Sequence, residues 1–178
     1  MGQYYQGTIK PKQSKVWKGY TSWDFENGAK LMEHSYIGNS FVTYIKHLIF
    51  RNPMRVVWAG DYADNENGKE LNLFDLAERI EMKDGNKCVP ENEQKEMRYL
   101  VNYTKKQFVT YSKIKKDNWG FRIDPLPLLT AEGNGRGGGE YWGQNNNLVG
   151  TWARDKISVT NRKPSKAYFT ELVPNFKE

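Results

Sequence analysis

RYLVNYTKKQFVTYS, residues 98–112, decides the fold class. Its Val, Tyr, Phe and Thr residues alternate with polar ones at the period of a pleated strand. Lys105 and Lys106 interrupt the middle, so the stretch predicts two strands around that pair or one long bent strand. Upstream, RVVWAG (55–60) is short and rich in β-formers and reads as a buried strand, while residues 3–9 read as an extended start before the loop KPKQSK (10–15). Downstream, WGFRI (119–123), VGTWARDKISV (149–159) and AYFTEL (167–172) read as further strands, with a turn at NRKPS (161–165). DPLPLL (124–129) is expected to be extended, because each proline disfavours helix at the residue before it.

Helical spacing appears earlier in the chain. In NSFVTYIKHLIFRNP (39–53), Phe41, Val42, Ile45, Leu48 and Ile49 recur on one side, Asn39 or Ser40 can cap, and Pro53 follows the end. A second helix fits NLFDLAERIEM (72–82), where Leu73, Phe74, Ala77 and Ile80 share a side and Asn72 can cap. KDGNKCVPENEQKE (83–96) reads as a surface connection with room for one helical turn. The expected class is α+β, with helices at about 39–51 and 72–82 in the first half and an antiparallel or mixed sheet mainly in the second. At 178 residues with no break in composition, residues 1–178 read as one globular domain. VWAGDYAD (57–64) and TWARDKIS (151–158) share a Trp-Ala-x-Asp core, which would make Trp58 and Trp152 core residues of related strands.

Aromatic residues form 14% of the chain, which argues against disorder. No apolar run reaches the length of a membrane span, and MGQYYQGTIKPKQSK has no secretory h-region. Gly2 is followed by Gln6 where myristoylation wants Ser or Thr. A single Cys88 excludes an internal disulfide and, with only two His, most zinc frameworks, so a cytoplasmic setting is expected. Net charge is +6, unevenly laid out. Residues 61–96 hold eleven acids against five bases, while Lys10, Lys12, Lys15 and Lys18 lie in an acid-free opening. Lys105, Lys106, Lys113, Lys115, Lys116 and Arg122 make a second basic region. Such a split suits a basic face for phosphates, nucleic acid or acidic protein, although solvated lysines also serve solubility alone.

The most unusual tract is GNGRGGG, with Gly133, Asn134, Gly135, Arg136, Gly137, Gly138 and Gly139 in succession. Consecutive glycines can turn their N–H groups to one side as an anion-binding nest, and Arg136 can fork onto a phosphate. Tyr141 and Trp142 could stack on a nucleobase, and Asn145–Asn147 supply polar edges. The tract lacks the Gly-Lys-Ser/Thr ending of a Walker loop, and no amphipathic helix follows it, so no cofactor is implied. The structural alternative is a wide loop with several positive-φ positions, in which Glu132 and Glu140 pair with Arg136.

MGQYY, NGAKLMEHSY (27–36), WAGDYAD (58–64), VNYTKKQFV (101–109), LPLLTAEGNGRGGGEY (126–141) and VGTWARD (149–155) together resemble a set of small proteins scattered through bacteria, their phages and mobile elements. The resemblance implies a compact cytoplasmic, phage-borne protein, and it supplies no catalytic residues. Glu140 stands where the set has Asp, and Arg154 where Gly is common.

Three readings follow. The first is a binding protein for a phosphorylated small molecule or nucleic acid, which in a phage setting would capture a host signalling nucleotide or oppose a host defence protein. The second is a protein-interaction or structural module, an inhibitor or virion component, with no small-molecule ligand. The third is a small hydrolase in which Asp61 orients His34. Adjacent Glu33 cannot face His34 on a helix, and a histidine hydrogen-bonded at a helix end is the competing reading. No metal site is expected.

Overall fold

Both strands expected around Lys105–Lys106 form. The computed structural model describes residues 2–133, 141 and 143–177. In chain order the elements are β1 (Tyr5–Lys10), β2 (Lys18–Thr21), α1 (Leu31–His34), α2 (Ser40–Leu48), β3 (Met54–Gly60), α3 (Leu73–Leu76), β4 (Glu78–Arg79), α4 (Glu91–Glu96), β5 (Tyr99–Asn102), β6 (Gln107–Thr110), α5 (Pro125–Thr130), β7 (Ala131–Glu132), β8 (Lys156–Thr160) and β9 (Thr170–Glu171), with short 3-10 turns between them. One mixed sheet runs β4-β2-β1-β3-β8-β5-β6-β9, with β7 beside β3. Its long strands pair antiparallel, and the short strands β4, β7 and β9 add in parallel.

The class is α+β, but strands are not confined to the second half: β1, β2 and β3 all precede residue 61. The antiparallel pairing of β1 with β3 brings the chain's opening against RVVWAG from Tyr5↔Gly60 to Lys10↔Arg55. Alternation sorts the sheet's two faces. Tyr5, Ile9, Val56, Trp58, Leu100, Val109, Ile157 and Val159 face the main core with Phe41, Val42 and Ile45 of α2. Val57, Ala59 and Leu73 form a smaller cluster elsewhere. Gly7 lets α2 lie close to the sheet, since a Cβ there would meet Ile45 Cγ1 at 3.0 Å. Asn39 caps α2 as expected, its Oδ1 accepting from the Val42 N–H at 3.2 Å. Its amide also donates to Asn27 Oδ1 at 2.9 Å. Asn39→Ala should therefore cost about 1–2 kcal/mol in urea denaturation, and an unchanged midpoint would show the cap to be idle.

Five expectations are corrected. The helix over 72–82 lasts only for α3, because Leu73 serves the small cluster while Ile80 and Met82 serve the main core, which no single helix could do. The backbone instead joins the sheet edge, with Glu78 N–H donating to Trp17 O at 2.8 Å and Ile80 N–H to Gly19 O at 2.9 Å. DPLPLL is helical, not extended: Pro125 and Pro127 occupy the first turn of α5, where N–H groups have no helical acceptor. WGFRI is not a strand, because Asp117 Oδ1 accepts from both Trp119 N–H and Phe121 N–H and holds a turn, leaving one bridge at Ile123. VGTWARDKISV and AYFTEL pair only over Lys156–Thr160 and Thr170–Glu171. Trp152 is buried like Trp58 but lies in the turn before β8, so the Trp-Ala-x-Asp echo does not mark related strands. Arg154 has φ 67°, a left-handed conformation that favours glycine.

Candidate functional site

A lysine on the buried side of α2 organises a concavity at the surface. Lys46 follows Val42 by four residues and precedes Ile49 by three, so helical geometry turns it inward, and it is only 4% exposed. Its ammonium donates to Asp124 Oδ2 at 2.8 Å, a pair with side-chain exposures of 5% and 0%. Asp124 is there because it caps α5: its Oδ1 accepts from the Leu126 N–H at 3.0 Å. The same oxygen accepts from the Tyr111 hydroxyl at 3.1 Å, and the Lys46 ammonium lies 4.2 Å from the Tyr111 ring centroid. Burial first, then the Asp124 charge and hydrogen bond, push the Tyr111 phenol well above its usual range, so it stays a protonated donor. Helix α2, the cap of α5 and the turn after β6 are thereby locked together.

Lys46 and Tyr111 line a cavity of about 520 Å³, within the range of small-molecule sites. Arg98 and Arg122 join Lys46 in its lining, along with hydroxyls of Thr43, Thr110 and Ser112. Ile37, Met97 and Tyr99 supply apolar walls. No carboxylate is among the described lining residues. Arg122 is held by backbone, its Nε donating to Ile114 O at 3.0 Å and Nη2 to Tyr111 O. Arg98 is exposed and has no ion pair among the described residues. The arrangement can receive a ligand with a negative end and a flat apolar body.

Asn134–Gly139 and Trp142 lie outside the described residues, and with them the Arg136 nest and Glu140. At the near edge of that tract, Gly133 backs onto Gln3 and Tyr5, and a Cβ there would stand 2.7 Å from the Tyr5 hydroxyl. Close packing is thus a sufficient reason for this glycine. Tyr141 does not offer its ring for stacking. It is buried against Phe176 at 5.5 Å, and its hydroxyl donates to Gln144 O and accepts from Lys177 N–H at 3.1 Å. The Glu132 carboxylate, expected to pair with Arg136, accepts from Arg154, which also bonds Glu66.

His34 is a core residue. Its Nδ1 lies 2.9 Å from Gly28 O, and its Nε2 accepts from the Trp58 indole N–H at 2.9 Å. The carbonyl partner requires the proton on Nδ1. Asp61 is engaged elsewhere, accepting from the Tyr4 N–H at 3.0 Å. With both ring nitrogens used inside the protein and Asp61 not orienting the ring, the His34 hydrolase geometry is absent. Among the described residues no group of three His, Cys, Asp or Glu is placed to hold a metal ion, and no helix is long and apolar enough to cross a membrane.

Lys46, Tyr111, Asp124 and Arg98 were not picked out by motif reading. Lys46 did carry a signal, since it falls between Val42, Ile45 and Ile49 on the apolar side. Asp before Pro-x-Pro was likewise legible as a cap followed by a proline-rich first turn. Comparisons with protein-family models, curated proteins and solved structures found no match.

Proposed function

We propose that the chain is a binding protein for a phosphorylated small ligand, a nucleotide or signalling nucleotide, held in the cavity over Lys46. What carries this reading is the meeting of Lys46, Arg98 and Arg122 in one concavity whose described lining has no carboxylate. Arginine forks match phosphate oxygens, and the Lys46 ammonium keeps donors beyond the one used on Asp124. Ile37, Met97 and Tyr99 suit the faces of a base. If the chain is phage-borne, capture of a host signalling nucleotide is a use consistent with such a site.

A melting screen across mono-, di- and cyclic nucleotides tests it. A ligand at a hundred times its Kd stabilises by about 2.7 kcal/mol, a shift of roughly 5–10 °C for a chain of this size. Arg98→Ala should abolish the shift while the free protein melts as before, because Arg98 is exposed. Absence of any shift with phosphorylated ligands would sink the reading. A shift lost in Arg136→Ala but kept in Arg98→Ala would move the site to the glycine tract.

A further inference from the structure

A different face of the sheet carries a second cationic feature. Register sets Lys10 opposite Arg55 and Arg55 opposite Lys156, so three basic side chains stand in one row across β1, β3 and β8. Neighbouring strands are roughly 4.8 Å apart, so the row packs like charges at the closest spacing a sheet permits. Such pairs oppose folding. Among the described residues none of the three has an ion pair, and the Arg55 guanidinium donates to the Arg154 carbonyl at 3.1 Å. With Lys12 they line a cleft of about 340 Å³.

The cleft continues. Pro53 also borders a second cleft of about 360 Å³, and Tyr103 and Arg162 border both that one and a third of about 220 Å³ with Lys163 and Phe169. Among the described residues no Asp or Glu lines any of the three. Tyr103 and Phe169, half-buried, meet edge to face at 6.1 Å, and the Tyr103 hydroxyl lies 2.9 Å from Ser158 Oγ. The groove therefore joins a run of unneutralised cations to aromatic rings at one end.

We propose that this groove binds the sugar–phosphate backbone of single-stranded nucleic acid, with a base on the Tyr103–Phe169 pair. A row of cations tracks a strand, and exposed bases, absent from the surface of a duplex, are what aromatic side chains add affinity for. The site is separate from the cavity over Lys46, with which it shares no described lining residue.

Fluorescence anisotropy with labelled oligothymidylate of about 15 nucleotides, and a duplex of equal length, tests the proposal. The single strand should bind more tightly, and affinity should fall with salt. Arg55→Glu should weaken binding about tenfold or more while raising Tm by a degree or two, because it converts the row to alternating charge. Tyr103→Phe should bind like the wild type, and Tyr103→Ala about tenfold less well. Lys95→Glu on α4 and Arg98→Ala should leave oligonucleotide affinity unchanged, which keeps this result apart from the nucleotide screen. No binding at low salt, a duplex preference, unchanged affinity in Arg55→Glu, or heparin competing equally with Tyr103→Ala indifferent would each overturn it.

Discussion

Asp124→Ala should melt roughly 10 °C or more below the wild type. Removing one member of a buried ion pair costs about 3–5 kcal/mol, because the remaining charge stays where water cannot reach it. Here the stranded group is the Lys46 ammonium, 5% exposed on its side chain. Asp124 also caps α5 and accepts from the Tyr111 hydroxyl, so the same change leaves a buried hydroxyl and a helix start without their acceptor. At roughly 2–4 °C per kcal/mol for a chain of this length, the drop follows. Asp124→Asn isolates the charge, since the amide oxygen can still accept from Leu126 and Tyr111. Asp124→Asn and Lys46→Met should each be strongly destabilising, and the double variant should recover most of the loss, because it leaves no unpaired charge. Losses that simply add would show that the two groups do not stabilise one another.

That trio also shows where reading the chain succeeds and where it stops. Elements specified by local chemistry were legible: Asn39 before an apolar stripe gave α2, and the alternation on either side of Lys105–Lys106 gave β5 and β6. Elements made by a distant partner were not. Glu78–Arg79 becomes a strand because Trp17 and Gly19 offer backbone acceptors from across the chain. The first-half strands were undercounted for the same reason, since β2 forms on its pairing with β1, which in turn pairs with β3, rather than on a long alternating run of its own. Proline was misjudged in α5 because its effect depends on position within a helix, and its place is set by the Asp124 cap. For the site, Lys46 was visible in helical phase, but its acceptor is 78 positions away and its cavity is lined from four separate stretches of chain. A pattern confined to neighbours in sequence cannot report such a meeting. The glycine tract drew notice through composition, and composition does not distinguish a ligand nest from the close packing that Gly133 makes with Gln3 and Tyr5.

The other large effect depends on pH. Burial, the dominant influence, lowers the His34 pKa from 6.5 to about 4, against smaller opposing contributions from the Gly28 carbonyl and Glu33. The neutral ring is what the fold requires: Nε2 must keep its lone pair to accept from the Trp58 indole, while Nδ1–H faces the Gly28 carbonyl. In the unfolded chain the imidazole takes up a proton near its ordinary pKa, so between 6.5 and 4 the unfolded state binds more protons than the folded one. Stability from this residue is therefore complete above pH 6.5, declines as pH falls through that window, and is fully lost once pH passes below about 4. The full amplitude is on the order of 3 kcal/mol, from about 1.4 kcal/mol per pKa unit. Urea denaturation from pH 7 to 5 should show the wild type losing stability faster than His34→Gln, which cannot titrate and is less stable at pH 7 because it fits the two partners less well. The chain has two His, so NMR can follow both rings directly. One imidazole should keep its neutral Nδ1–H form down to about pH 4. Parallel stability curves for the two proteins, or two rings that both protonate above pH 6, would show that water reaches His34 and that its bond to Trp58 does not hold the core together.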